Sequence, residues 1–357
     1  MLRFACTRIC TRRLHRFSPC VAPRFEGVWP ILATPFRGDT DESIDLEAFS
    51  RALRFMARAG ADGATIVGVL GESNRLTDAE RELLIRSAVT AADEVGRPFP
   101  ICVGTSHAGT AATVALSQMA QDLGAAAVMV TPTKEAAPSP DGTLVRLFDR
   151  VAMACPGLPI VLQDHPASTQ VHMPTALVAR IAHEVSAVAC IKLEATPTPA
   201  RIAALRDIWQ SSLPPADAGC TILTGLGGLY AGYDLEQGSN GFMTGFSFPE
   251  ILIAMHAAAR GGDLEHAHAL YQRFLPLLVF EQQPGVAVRK ELYRLRGLFT
   301  SAHVRHPAPS LVSPILARAL EAQLRRSLGP TTDPTKQLPE ALFAREHSSA
   351  DLPFRVA

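Results

Sequence analysis

The chain has 357 residues, 47% of them hydrophobic, and its 34 basic side chains are balanced by 34 acidic ones. Zero net charge argues against a nucleic-acid groove or a membrane-surface protein, both of which ordinarily carry excess basic charge, and no apolar run approaches the roughly 20 residues that cross a bilayer. Only Lys134, Lys192, Lys290 and Lys336 are lysines, so a lysine-based chemistry has four candidates.

Residues 1–24 hold six arginines and no acid, and the first carboxylate is Glu26. Such a segment resembles an organelle-targeting leader, or else an upstream extension of an Arg-rich bacterial protein with no targeting role; either way it is expected to be disordered. The second reading places the protein in the cytoplasm and the first in the mitochondrial matrix. Cys6, Cys10 and Cys20 in this leader match no metal-ligand spacing. Cys102, Cys155, Cys190 and Cys220 lie in apolar segments, where free cysteine behaves as a small core residue. A reducing compartment is expected, and neither a metal nor a cofactor is implied.

From residue 25 onward short apolar runs alternate with stretches of helical period. The strand-like runs cover 28–36, 63–70, 98–105, 126–132, 158–166, 187–194, 220–226 and 241–247. Between them the spacing predicts helices over 45–60, 78–95 and 174–185, among others. Thr77 or Asp78 would cap the second of these, and Pro174 sits just inside the start of the third. The strands are apolar on both faces, as parallel strands covered by helices must be. Eight such units predict a (β/α)8 TIM barrel over 25–262, with C-terminal helices over 263–327 packed on it. The tail from 328 to 357, with Pro330, Pro334, Pro339 and Pro353, reads as loosely attached. An open doubly wound sheet is the alternative, but its Gly-rich turn is missing: GLGGLY at 225–230 stops short of GxGxxG. His266 and His268, two apart on a helix, do not share a face.

In such a barrel the site lies at the C-terminal ends of the strands. The polar residues there are Thr34 on the first strand, Gly71, Glu72 and Ser73 after the second, and Thr105, Ser106 and Thr131 after the next two. Gln163, Asp164 and His165 end the fifth, Lys192 and Glu194 the sixth, Thr224 the seventh and Thr244, beside Met243, the eighth. Within AVACIKLE, period two puts Cys190, Lys192 and Glu194 on one face. Burial of a lysine in an apolar strand lowers its pKa and frees the amine as a nucleophile, which with a carbonyl substrate gives a Schiff base. Strand position alone fits equally a lysine that reaches solvent or pairs with Glu194. By the same alternation Gln163 and His165 share a face, and Asp164 faces the other way.

GVWPILATPF at the first strand, GVLGESNRLTDAER after the second and CIKLE at the sixth resemble the dihydrodipicolinate synthase and N-acetylneuraminate lyase family, from about Gly27 to Gln323. The resemblance implies a (β/α)8 barrel, usually tetrameric, with a small-molecule 2-keto acid bound to a Schiff-base lysine that maps onto Lys192. The family's catalytic tyrosine segment reads here Gln163-Asp164-His165-Pro166, and its paired hydroxyl residues before the glycine are Val69-Leu70. The aromatic residues after strand four are Thr133 and Lys134, and the arginine that receives a second carboxylate falls at Ser168. Lysine-biosynthetic condensation and sialic-acid cleavage are therefore disfavoured.

What survives is a Schiff-base site without its phenol. Glu194, Gln163 and His165 stand beside Lys192 as the catalytic set; Thr34, Leu70, Gly71, Glu72, Ser73, Asp164, Met243 and Thr244 are the substrate-binding candidates. Backbone N–H groups from Leu70 to Ser73, with the Ser73 hydroxyl, would receive a carboxylate. Proton transfer falls to Glu194, His165 or Asp164. The segment FEQQPGVAVRKELYRLRGL (280–298), with QDHP and KLEATPTP, is similar to the L-2-keto-3-deoxyarabonate dehydratase branch. That branch implies removal of water from a 2-keto-3-deoxy sugar acid, with the iminium as electron sink. The alternatives are a retro-aldolase releasing pyruvate from a 4-hydroxy-2-oxo acid and an inactive barrel that binds a keto acid.

Overall fold

The computed structural model describes residues 23–343 apart from 39, 135–139, 212–219, 283–284, 309–312, 330–331, 334–335 and 340–341. Nearly all of the Arg-rich leader with its three cysteines, and the end of the tail, lie outside the described residues.

Eight parallel strands follow one another around a barrel: β1 (Gly27–Val28), β2 (Ala64–Ile66), β3 (Ile101–Gly104), β4 (Ala127–Val130), β5 (Ile160–Asp164), β6 (Val188–Leu193), β7 (Thr221–Thr224) and β8 (Gly241–Phe242). Consecutive strands from β2 to β8 pair, and β8 pairs with β1. The circle closes where Ile31 bridges Thr65: Leu32 N–H donates to the Thr65 carbonyl at 2.9 Å and Thr65 N–H to the Pro30 carbonyl at 2.8 Å. The chain is a (β/α)8 barrel, and sequential order with closure leaves no room for the doubly wound alternative. The first strand is regular for only two residues of the nine expected. Pro30 and Pro35 have no N–H to give a ladder, so past Val28 the pairing is irregular: Trp29 and Ile31 N–H groups bond the Phe242 and Thr244 carbonyls on the β8 side, and Leu32 N–H bonds Thr65 of β2.

The helices are α1 (Leu46–Arg58), α2 (Asp78–Asp93), α3 (Thr110–Asp122), α4 (Pro140–Ala154), α5 (Pro166–Thr169), α6 (Thr175–Glu184), α7 (Thr198–Ser211), α8 (Ala231–Glu236), α9 (Pro249–Arg260), α10 (Leu264–Phe280), α11 (Val286–Leu295) and α12 (Pro314–Leu328). Asp45 caps α1 through the Ala48 N–H, and Thr77 forms a reciprocal capping box with Glu80 that starts α2 immediately after the β2 loop. Pro174 precedes α6 as its cap residue rather than entering it.

Every residue of β2 through β5 is buried, because the barrel interior takes one face and the helices the other. Each fully buried Ile, Val, Leu or Phe in this core contributes about 1.5–3 kcal/mol. Met243 belongs to that core, fully enclosed, and is no part of a substrate surface. A second cluster joins α9, α10, α11 and α12 through Leu252, Phe274, Leu278, Leu292 and Leu320. The described part of the tail departs from the loose attachment expected of it. Leu338 and Leu342 are buried in this second cluster, Arg273 donates to the Leu342 carbonyl at 3.1 Å, and Phe343 lies 6.3 Å from the Phe274 ring. Past Leu328 no α-helix forms among the described residues, as the prolines indicate, but the prolines gave no sign of the two leucines that dock. No helix among the described residues is long and apolar enough to cross a membrane.

Candidate active site

Lys192 sits on β6 in register with Gln163 on β5 and Leu223 on β7. Its side chain is buried, and Nζ lies 3.2 Å from Oε2 of Glu194, itself buried. The Gln163 amide donates to that same oxygen at 2.7 Å, and Leu226 N–H donates to Oε1 at 3.2 Å. Burial pushes the Glu194 carboxyl up. Lys192, His165, the Gln163 amide and the Leu226 N–H outweigh that and hold it below its ordinary value, so it is ionised at neutral pH. Gly225 makes this possible: a Cβ there would overlap the Glu194 carboxylate.

His165 follows β5 at the mouth. Its Nδ1 is 2.7 Å from Ser168 Oγ, and that hydroxyl donates to the His165 carbonyl at 3.2 Å. In the tautomer that keeps this hydroxyl bond, Nδ1 carries the ring hydrogen and Nε2 is the acceptor. Burial is the main cause that lowers the His165 pKa; Lys192 adds to it and Glu194 opposes it. The imidazole is therefore neutral at neutral pH.

A cavity of about 300 Å³ brings together Lys192, Glu194, Gln163, His165, Leu70 and Thr244. Thr244 Oγ1 accepts from Gly227 N–H at 2.7 Å and fixes the turn after β7. Leu70 packs against Gly245, where a Cβ would overlap its Cδ2. The N–H groups of Glu72 and Ser73 are used within the turn, bonding Val69 and Gly68 carbonyls at 3.0 and 3.3 Å. Among the described residues those of Leu70 and Gly71 have no partner, so the carboxylate-binding amides expected over four residues reduce to two.

Several expected site residues lie elsewhere. Asp164 is buried on the outer face of β5, where its Oδ2 pairs with Arg201 Nη2 at 2.9 Å. Burial raises its pKa to about 6 against the pull of Arg201. Thr34 Oγ1 donates to the Gly71 carbonyl at 2.7 Å, shaping the turn instead of meeting substrate. Ser73 lines a neighbouring groove with Ser106, Thr131 and Ser168. Glu72 adopts a left-handed backbone (φ 56°) and turns its fully buried carboxylate away from the cavity. There it pairs with Lys290 of α11 and with Arg75 at 2.8 Å, and accepts from Arg305 N–H at 3.0 Å. The Lys290 ammonium lies 4.3 Å from the Phe36 ring centre and the Arg305 guanidinium 4.2 Å.

Two polar side chains of the cavity wall went unnoticed in the sequence: Gln282, just past α10, and Arg289 of α11. Both lie inside the 280–298 segment, where the only signal was a branch-like pattern; chain distance from the barrel strands hid their placement.

Among proteins of known family, the model of the dihydrodipicolinate synthetase family matches residues 24–316. The chain is 36% identical over 293 residues to L-2-keto-3-deoxyarabonate dehydratase of Azospirillum brasilense, covering 81% of this chain and 90% of that one. It is 30% identical over 293 residues to the putative 2-dehydro-3-deoxy-D-gluconate aldolase YagE of Escherichia coli K12, covering 81% and 93%. In structure it resembles dihydrodipicolinate synthase from Rhodopseudomonas palustris, with a TM-score of 0.77 and 30% identity over 86% of this chain and 99% of that one.

Proposed function

This chain belongs to the dihydrodipicolinate synthetase family, and from that premise we propose that it is a Schiff-base lyase that dehydrates a 2-keto-3-deoxy sugar acid of the L-2-keto-3-deoxyarabonate type. The observation that carries the reading is the carboxylate of Glu194, 3.2 Å from Lys192 Nζ in a cavity that has glutamine where the family's phenol would stand.

The Lys192 amine adds to the C2 carbonyl, and loss of water gives an iminium. The iminium acidifies C3. Glu194 takes the C3 proton and returns it to the C4 hydroxyl, which leaves as water. Hydrolysis of the conjugated iminium frees the product and restores Lys192, so the net change is one water lost. Gln163 has no titratable proton and serves to hold the Glu194 carboxylate. His165 Nε2 accepts a hydrogen bond from a substrate hydroxyl. The Leu70 and Gly71 amides, with no side-chain hydroxyl beside them, receive the C1 carboxylate. A homo-oligomeric assembly, implied by the family resemblance, forms part of this reading.

The test is borohydride trapping with pyruvate and with 2-keto-3-deoxy acids, followed by peptide mapping and product mass. The expected adduct is on Lys192 and the expected product retains the whole carbon chain. Pyruvate plus an aldehyde would replace dehydration with aldol cleavage, the activity named for the E. coli relative. An adduct that persists in Lys192→Ala would overturn the mechanism.

A further inference from the structure

We infer that Arg289 is the specificity residue at the far end of the Lys192 cavity, taking the terminal hydroxyl of a neutral substrate tail and rejecting a second carboxylate. The inference rests on the Schiff-base reading and adds the substrate's far end to it.

The cavity that holds Lys192 and Glu194 is also walled by Arg289 and Gln282. Beyond Lys192, Glu194, Gln163, His165 and Thr244, these are the polar side chains among the described residues that it offers to a substrate chain. Their approach depends on Gly227, whose backbone has φ +68°. A Cβ at that position would overlap Gln282 Nε2 and come within 3.1 Å of Arg289 Nη2. Any larger residue there would push both groups out of the wall.

Charge decides what the subsite accepts. Arg289 Nε lies 3.5 Å from Oε2 of Glu281, which is fully buried and takes hydrogen bonds from the Ser247 N–H at 3.1 Å and its hydroxyl at 3.2 Å. Above the Glu281 pKa, which burial raises to about 7, Arg289 arrives already paired with an anion. A second carboxylate would have to share it with Glu281, bringing two like charges together in a buried place. A hydroxyl needs no charge. Its oxygen accepts from the guanidinium, and its proton can go to Gln282 Oε1, which lies 3.4 Å from Arg289 Nη2.

The experiment compares three five-carbon 4-hydroxy-2-oxo acids that differ only at C5, which carries a hydroxyl, nothing, or the oxygens of a carboxylate. Substrate consumption gives kcat/KM for each, and borohydride trapping of pyruvate reports the Lys192 end independently. The wild type should favour the hydroxyl over the methyl compound by at least about tenfold, since a site built to hydrogen-bond a hydroxyl rejects the analogue lacking it. Arg289→Met should bring that ratio close to one while pyruvate is still trapped. The double variant Glu281→Gln/Arg289→Met leaves no buried carboxylate unpaired and should give the same ratio, which covers misfolding of the single variant. A ratio unchanged in either variant, with trapping intact, overturns the assignment, as does a wild-type preference for the carboxylate compound. Failure of the wild type to trap pyruvate would instead sink the Schiff-base reading.

Discussion

The Gln163 amide donates to Glu194 Oε2 at 2.7 Å, the same oxygen that lies 3.2 Å from Lys192 Nζ. A residue that cannot titrate thus acts on one that can. In Gln163→Leu the carboxylate loses a charge-assisted donor of about 1.5 kcal/mol, so kcat should fall roughly tenfold. As the proposed base Glu194 needs its ionised form, and losing a group that depresses its pKa raises that pKa. The acidic limb of the kcat/KM profile should therefore move to higher pH. A limb that stays in place would separate Gln163 from the proton transfer.

Glu194→Gln keeps the side chain's shape and removes the proposed base. Turnover should fall by about 10²–10⁴, while borohydride still traps pyruvate on Lys192, since addition to the carbonyl does not require the C3 proton to move. Equal loss of trapping and turnover would show that Glu194 is needed for Schiff-base formation itself.

The Glu72–Lys290 pair gives a stability prediction. Burial lowers the Lys290 pKa to about 8 although Glu72 raises it. Removing Glu72 as Glu72→Ala strands a buried ammonium and should cost about 3–5 kcal/mol in denaturant unfolding. Replacing both, as Glu72→Gln/Lys290→Met, should recover part of this. If the double variant is no better than the single, the loss comes from the strained turn at Glu72 and not from the orphaned charge.

Glu281, Asp164 and Asp234 are carboxyls whose burial raises their pKa, to about 7, 6 and 6. Between their ordinary values and these, the folded chain holds protons that the unfolded chain has released, so stability falls as pH climbs from about 4 to 7. Glu281→Gln should flatten the upper part of that slope, on the order of a few kcal/mol. Unfolding free energies at pH 5 and pH 7.5 check this; equal slopes in the two proteins would refute it.

Gly245→Ala places a methyl group where Leu70 Cδ2 now lies. Leu70 should be driven into the cavity, raising KM about tenfold with a smaller change in kcat, because the bound acid and not the reacting atoms is displaced. Steady-state kinetics with the best substrate of the trapping series decides it.

Much of this was legible along the chain. Strand periodicity placed Lys192 and Glu194 on one face and turned Asp164 to the other, where Arg201 meets it; the substrate role expected of Asp164 ran against that geometry. Glu72 was illegible because its partners, Lys290 and Arg305, come from beyond the barrel. A GES triplet after a strand reads as substrate-binding until the cation that claims its carboxylate is seen. Met243 directly follows β8 and Thr34 lies six residues past the short β1, but the end of a strand segment supplies both turn contacts and core packing, and sequence does not divide them. Arg289 needed the fold of α10 and α11 over the barrel mouth before it had any neighbour to act on.

Arg289 and Lys290 are consecutive in α11, yet one lines the cavity and the other is buried against Glu72 and Phe36. Successive residues on a helix point about 100° apart, so a single helix turn serves two surfaces at once. Inserting or deleting one residue before this point would swing both away together. Under the proposed role of Arg289, substrate choice and the fastening of the β2 turn are thus locked to one helical phase.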